Sequence, residues 1–492
     1  MLRLVAPANV EVMSRPGPGW PIAATVASGL LFFFGTGMDP VPELAWCAPL
    51  PILLLAPRVS GVTALLCAFV AYAAGSIPSW SYFWHSLSVP RPAGIAILAG
   101  SALLFALATG LFRLLVRRHH AVLAVLAAAG LWTVALYAVS LLNPTGLMGT
   151  FMTTQADRPV VLQLASVTGG WGVEFLVLAV PAAAAAICAP GVKGRSRLVS
   201  VVAAAVVLTG LFFWSTARLS SPAGTTTKVA LVVPAKAGWA TDVTTPQGAA
   251  LLQSYVDQIG ALPDGVRVAV LPEAAFAVDD ASRPALVEQL RRTGVEVVTG
   301  VYDTTPQGRF NAALDVPLSG PPVEFRKWHN GDSKNIASGT DLAYLAGPAK
   351  IGLLVCMDVN FADPSGGYGE AGTGLVLIPA SDEDTDGWEH SRTALIRGVE
   401  NGFSVAWSAA RGTPMLSDAH GRVLADPHTG AQPFSVVTAD VPLGSGATPY
   451  ARLGDWFAWL CGLLAIGGIA TGARRTAKTS AAVPAEDATV GA

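Results

Sequence analysis

Val266-Arg267-Val268-Ala269-Val270-Leu271-Pro272-Glu273 is a short β-branched apolar run that stops at a proline and then a carboxylate. A run of that length and composition reads as a strand. The pattern repeats on both sides of it. Lys228–Val233 is a strand candidate, a helix is expected near 246–261, and a helix near 284–293 leads to a strand at 295–301. Further strands are expected at 311–317, 322–327, 350–355, 374–378, 403–409 and 434–441. A helix fits 387–401, where Trp388, Leu395 and Val399 form a helical stripe. Strands alternating with helices imply layered α/β packing, here over residues 222–450.

The rest of the chain is of another kind. Over 492 residues, 52% are hydrophobic and 13% are charged, against about 25% charged in an ordinary soluble domain. The excess lies in residues 20–215 and again at 455–471. A helix rising 1.5 Å per residue needs about 20 apolar residues to cross a bilayer. Spans are therefore expected near 20–37, 41–56, 60–78, 93–116, 120–142, 160–190, 198–215 and 455–471, about eight transmembrane helices. Buried core helices are the alternative, but these segments are apolar all round and follow one another directly. A net charge of −2 and the lack of a long basic stripe give nothing for nucleic acid.

Lysine and arginine in the short loops set the orientation. With a cytoplasmic N-terminus, the inner segments hold Arg3, Arg15, Arg58, Arg113, Arg117, Arg118, Lys193, Arg195, Arg197, Arg474, Arg475 and Lys478, and the outer short loops hold Arg91 and Arg158. The expected order is a cytoplasmic segment (1–19), a domain of about seven spanning helices (20–220), an extracytoplasmic soluble domain (222–450), a returning helix (453–472) and a disordered cytoplasmic tail (473–492). That describes a multi-pass protein of the cell membrane. Trp80-Ser81-Tyr82-Phe83-Trp84 suits an interfacial aromatic belt. Glu174 lies inside an apolar run, where a carboxylate costs about 2.5–3.5 kcal/mol at a helix centre. It is expected to face the soluble domain or the bundle interior.

Cys47, Cys67, Cys188 and Cys461 lie in apolar spans or at their edges, which leaves Cys356 alone in the soluble domain and excludes a disulfide there. Cys356 closes the run Gly352-Leu353-Leu354-Val355, the strand-to-turn position where a nucleophile can be exposed and backbone N–H groups can face an oxyanion. Glu273 ends a strand in a setting suited to a general base. Lys327 ends another, in Phe325-Arg326-Lys327-Trp328-His329. A thiol needs a base or a cation to react, and these residues supply both. Each also has a plainer reading: a helix N-terminal carboxylate, a surface lysine and a core cysteine. The histidines show no metal-ligand spacing and no nucleotide loop is present, so no metal or cofactor is expected.

Glu, Lys and Cys in this order resemble the catalytic set of the nitrilase superfamily. With the spans included, the layout resembles the apolipoprotein N-acyltransferases, its membrane-bound members. Gly169-Gly170-Trp171-Gly172-Val173-Glu174-Phe175 is similar to their Gly-rich segment opening a late span. Pro272-Glu273-Ala274-Ala275 is similar to Pro-Glu-Ser-Ala, and Phe310-Asn311-Ala312-Ala313 to Tyr-Asn-Ser-Ala. Arg397-Gly398-Val399-Glu400-Asn401-Gly402 resembles Arg-Ala-x-Glu-x-Gly. The chain departs from the pattern after Lys327, where the supporting glutamate of the family is missing and Asp332 is a conceivable substitute. It departs also at Cys356-Met357-Asp358 in place of Cys-Tyr-Glu, and at Ala380–Trp388 in place of Asn-Asp-Ala-Trp.

The resemblance implies an αββα sandwich attached to a membrane helical bundle, and a triad of Glu273 (base), Lys327 (oxyanion stabiliser) and Cys356 (nucleophile). It further implies acyl transfer from a phospholipid donor, through a thioester, to the amine of a diacylglyceryl-cysteine apolipoprotein. A membrane-tethered amidase and a degenerate lipoprotein-binding homologue are the alternatives.

Overall fold

The computed structural model describes residues 17, 19–86, 89–191, 194–222, 224–235, 238–331, 333, 335–382, 385–427 and 432–474. Asp332, most of 1–19 and the tail beyond 474 lie outside the described residues.

The strands are β1 (Thr226–Pro234), β2 (Thr241–Asp242), β3 (Val268–Val270), β4 (Phe276–Asp279), β5 (Glu296–Thr305), β6 (Gly308–Val316), β7 (Val323–Arg326), β8 (Ile351–Leu353), β9 (Leu375–Ser381), β10 (Ser404–Ala410), β11 (Met415–Ser417), β12 (Val423–Ala425) and β13 (Phe434–Pro442). One sheet runs β13-β1-β3-β5-β4-β2, with β6 on β5 and β7 on β6; the other runs β12-β11-β10-β9-β8. Side chains alternate across a strand, and β1 shows what that does. Val229, Leu231 and Val233 enter the core between the sheets. Ala230 and Val232 face the opposite way, into a second core with Leu252, Tyr255, Ile259, Leu286 and Leu290 from helices Pro246–Gly260 and Arg283–Arg291. On the far side, Ala394, Leu395 and Val399 of helix Gly387–Asn401 join the inter-sheet core. The result is the four-layer αββα order that the resemblance implied, in line with the layered α/β packing read from the alternation.

The short strands β2, β4, β11 and β12 were not expected, because two to four residues carry too little periodicity to be seen. Helix Gly387–Asn401 differs from expectation in another way. Nearly every residue on it is buried, since one face lies on the β10 sheet and the other meets segments of the membrane domain. Arg392, Arg397 and Glu400 on it are therefore paired. Arg392 binds Asp157 at 2.6 Å and Asp426 at 2.8 Å, and Glu400 accepts from the Gly170 N–H at 2.6 Å and from Arg397 at 2.5 Å. A carboxylate at the first N–H groups of helix Gly170–Ile187 complements the positive end of its dipole.

Among the described residues, five helices are long and apolar enough to span a membrane: Arg91–Arg117, Ala121–Leu142, Gly170–Ile187, Arg197–Leu219 and Trp456–Ala473. Gly61–Gly75 with Ile77–Trp84, bent by 54°, makes a sixth if the pair is one span. Eight uninterrupted spans are not what the described residues form. Gly19–Gly35 is shorter, and the stretch 41–56 is two six-residue helices, Pro42–Cys47 and Leu50–Leu55, on either side of Pro49. The expected span 160–190 divides at Gly169, which has φ +68°. A Cβ there would lie 2.6 Å from Tyr450 Cε2, so the glycine serves both the turn and the close approach. Only Gly170–Ile187 continues as a long helix.

Glu174 is fully buried in the bundle interior, where it accepts from Trp132 Nε1 at 2.6 Å and from the Met152 N–H at 2.8 Å. The aromatic stretch does more than line an interface: the Tyr82 hydroxyl donates to Asp386 of the α/β domain at 2.8 Å.

Candidate active site

Pro272 ends the strand pairing, and Glu273 turns in toward the opposite sheet. Its N–H donates to the Ala380 carbonyl at 3.1 Å, and Gly300 N–H donates to the Pro272 carbonyl at 3.0 Å. A Cβ on Gly300 would lie 2.4 Å from Glu273 Cα, so β5 can pass this close only with glycine. Lys327 follows β7 and is locked on both sides of its peptide. Its N–H donates to Asn311 O at 2.8 Å, and its carbonyl accepts from the Gly339 N–H at 2.9 Å.

Those anchors bring two charges together in a nearly dry site. Glu273 Oε1 accepts from Lys327 Nζ at 2.7 Å and from Asn311 Nδ2 at 2.7 Å. Glu273 is 4% exposed, Lys327 5% and Cys356 6%. Burial alone would favour a neutral Lys327 amine, but the opposing influences, led by the charge of Glu273, outweigh it and hold the lysine above its usual range. Burial pushes the Cys356 thiol well above its usual range; the Glu273 charge adds to this and Lys327 opposes it. At neutral pH the resting sulfur is therefore a thiol, and it needs a base to become a nucleophile.

Cys356 stands at φ +42°. A non-glycine residue in that region costs on the order of 1–3 kcal/mol and persists only where its surroundings hold it. It opens a 3₁₀ turn, Cys356–Asn360, directly after β8. Asp358 holds that turn to the loop that follows Lys327. Its Oδ1 accepts from the Trp328 N–H at 3.2 Å and the His329 N–H at 3.0 Å, and lies 3.1 Å from His329 Nδ1. His329 in turn stacks on Phe361 at 3.6 Å. Asp358 thus fixes the loop that follows Lys327 relative to the turn that begins at Cys356.

The three residues singled out in the sequence come together in one buried site. The sequence did not single out the polar residues packed around them. Asn311 was legible in part, as the asparagine of Phe310–Ala313, and it lies one residue beyond the last β6–β7 pair, Ala312 with Arg326. Asp382 and His390, on a loop and a helix beside Cys356, follow no linear rule. A ring nitrogen of His390, a carboxylate oxygen of Asp382 and the Cys356 sulfur lie within 4.8 Å of one another. A cavity of about 230 Å³ adjoins the turn after Cys356, between the α/β domain and the membrane helices. Leu141, Met152, Trp171 and Ile396 form part of its apolar lining, His329, Asn360 and serine and threonine side chains part of its polar lining, with Asp363, Arg397 and Asp455 as charged groups.

Residues 28–183 match the model of the apolipoprotein N-acyltransferase N-terminal domain. The resemblance to the apolipoprotein N-acyltransferases holds. An apolipoprotein N-acyltransferase of Geobacter metallireducens is 30% identical over 135 residues, which cover 26% of this chain and 25% of that protein. The chain thus spans about a quarter of the length of that relative. Similar solved structures include an amidase from Nesterenkonia sp., at 20% identity and a TM-score of 0.38, covering 47% of this chain and 95% of that one. Another is Nit3 of Saccharomyces cerevisiae, a nitrilase-superfamily member, at 17% identity and 0.37, covering 45% and 92%.

Proposed function

We propose that this chain is a membrane-embedded acyltransferase that moves an acyl chain from a phospholipid to the N-terminal amine of a diacylglyceryl-cysteine apolipoprotein. The observation that carries the reading is the buried Glu273–Lys327–Asn311 cluster beside Cys356, set against apolar helices long enough to span a membrane. In the first step Glu273 takes the Cys356 proton as the sulfur attacks the ester carbonyl. Lys327 and the backbone N–H following Cys356 stabilise the oxyanion. The ester C–O bond breaks, Glu273 returns the proton to the leaving alkoxide, and a thioester remains on Cys356. The apolipoprotein amine then attacks the thioester and releases the sulfur as a thiol.

The cavity beside the catalytic turn supports this reading through its mixed lining, since apolar side chains interleaved with polar and charged groups suit a lipid-linked substrate with a polar head. Mass spectrometry of lipoprotein N-termini in an acyltransferase-deletion strain tests it. Triacylated N-termini together with lysophospholipid should appear when this chain is supplied. Release of free fatty acid or ammonia without triacylation would favour the amidase.

The proposed placement of residues 222–450 outside the cytoplasm rests on the lysine and arginine bias of the loops. A reporter fused after residue 230 should be active outside the cytoplasm and one fused after 480 inside. The reverse pattern would remove the case for chemistry at the outer leaflet.

A further inference from the structure

An α-amino group has an ordinary pKa of about 7.7–8.0, so near neutral pH much of it arrives as an ammonium. It must lose one proton before it can attack a thioester, and a second as the amide forms. Glu273 can carry the second to the departing sulfur. The first needs another acceptor close to Cys356.

One buried group meets that need. His390 Nδ1 lies 2.8 Å from Asp382 Oδ1. An ionised carboxylate has no proton to give, so Nδ1 is the donor, and in the neutral imidazole Nε2 then carries the lone pair. Nε2 is buried and has no hydrogen-bond partner. Asp382 is itself held, since its other oxygen accepts from Trp407 Nε1 at 3.3 Å. The Trp407 ring also meets His390 edge-on at 4.7 Å. The thiol is anchored next to this pair, 3.5 Å from the carbonyl of Ser381. A buried unpartnered nitrogen costs stability, and the imidazole that carries it has a ring nitrogen within 4.8 Å of both an Asp382 oxygen and the one sulfur that the chemistry uses.

We propose that His390, held in orientation by Asp382, accepts the first proton of the incoming ammonium during transfer from the Cys356 thioester. This rests on the acyl-transfer reading above. Neutral His390 takes the proton from the ammonium, and the free amine attacks the thioester carbon. The C–N bond forms and the C–S bond breaks. Glu273 moves the remaining amine proton to the sulfur, and the imidazolium gives its proton to water. Ammonium, thioester and neutral imidazole become amide, thiol and imidazolium, so atoms and charge balance. Asp382 is the positioning residue. The other titratable groups around the pair are Asp386 and Glu389 at the start of the same helix, Tyr82 from the membrane side bonded to Asp386, and Cys356 with Glu273 and Lys327 beyond it.

The test separates the half-reactions in the full-length protein in detergent or vesicles, across pH 6–9. Acylation of Cys356 by phospholipid is followed first, and transfer to a diacylglyceryl-cysteine peptide second. His390→Gln should acylate at close to the wild-type rate. Its transfer should fall about 6–11-fold at pH 7, the inverse of the free-amine fraction there, and recover above about pH 8 as the acceptor amine loses its proton to solvent. Asp382→Asn should shift transfer in the same direction by a smaller factor, and it carries the test if His390→Gln does not fold. Transfer that is unchanged, or reduced equally at every pH, would overturn the role of His390 while leaving Cys356 chemistry in place. Equal losses in both half-reactions would make His390 a structural residue. A wild type that never acylates would overturn both readings.

Discussion

Cys356→Ala should fold and take up no acyl chain from phospholipid, where the wild type gains one through a hydroxylamine-labile bond. Glu273→Gln should be nearly as severe. Burial keeps the Cys356 thiol well above its usual range, so little thiolate forms without a base, and a neutral amide cannot take the proton. A lost general base ordinarily costs about 10²–10⁴-fold, and a thiol held this firmly protonated belongs at the upper end. Intact-protein mass spectrometry before and after hydroxylamine reads both variants. An acyl-enzyme that persists in Cys356→Ala would place the nucleophile elsewhere and end the thioester reading. A well-folded wild type that is never acylated would favour a binding protein.

Lys327→Ala should lose both rate and stability. Removing one oxyanion stabiliser typically costs about 2.7–4 kcal/mol of transition-state energy. The stability loss has a separate cause, because Glu273 would remain buried with its lysine partner gone and the Asn311 amide still donating to it. Breaking a buried ion pair from one side costs about 3–5 kcal/mol, whereas replacing both charges is often far milder. Lys327→Ala with Glu273→Gln should therefore be more stable than Lys327→Ala alone, although neither can acylate efficiently. Thermal unfolding in detergent, read beside acylation of the folded fraction, checks this. A double variant less stable than the single one would show that the Glu273–Lys327 pair does not set the stability of the site.

Composition and period determined a great deal by themselves. Apolar runs of membrane length separate from a region of alternating short strands, because lipid and water sort residues by local pattern alone. Glu273, Lys327 and Cys356 were also legible, since each ends a strand, and strand ends are where a chain turns and exposes a side chain. Three things only the tertiary structure decided. Spans break where a residue must make a distant contact, as Gly169 does against Tyr450. Helix Gly387–Asn401 has an ordinary helical stripe, yet it is buried on both sides, so Arg392, Arg397 and Glu400 form ion pairs rather than a solvated face. Asp358, Asp382 and His390 have no telling spacing along the chain. They reach the thiol side because two sheets pack face to face and a helix is held against the membrane domain. Hydrogen-bond geometry at about 3 Å is set by that packing, and linear order carries no record of it.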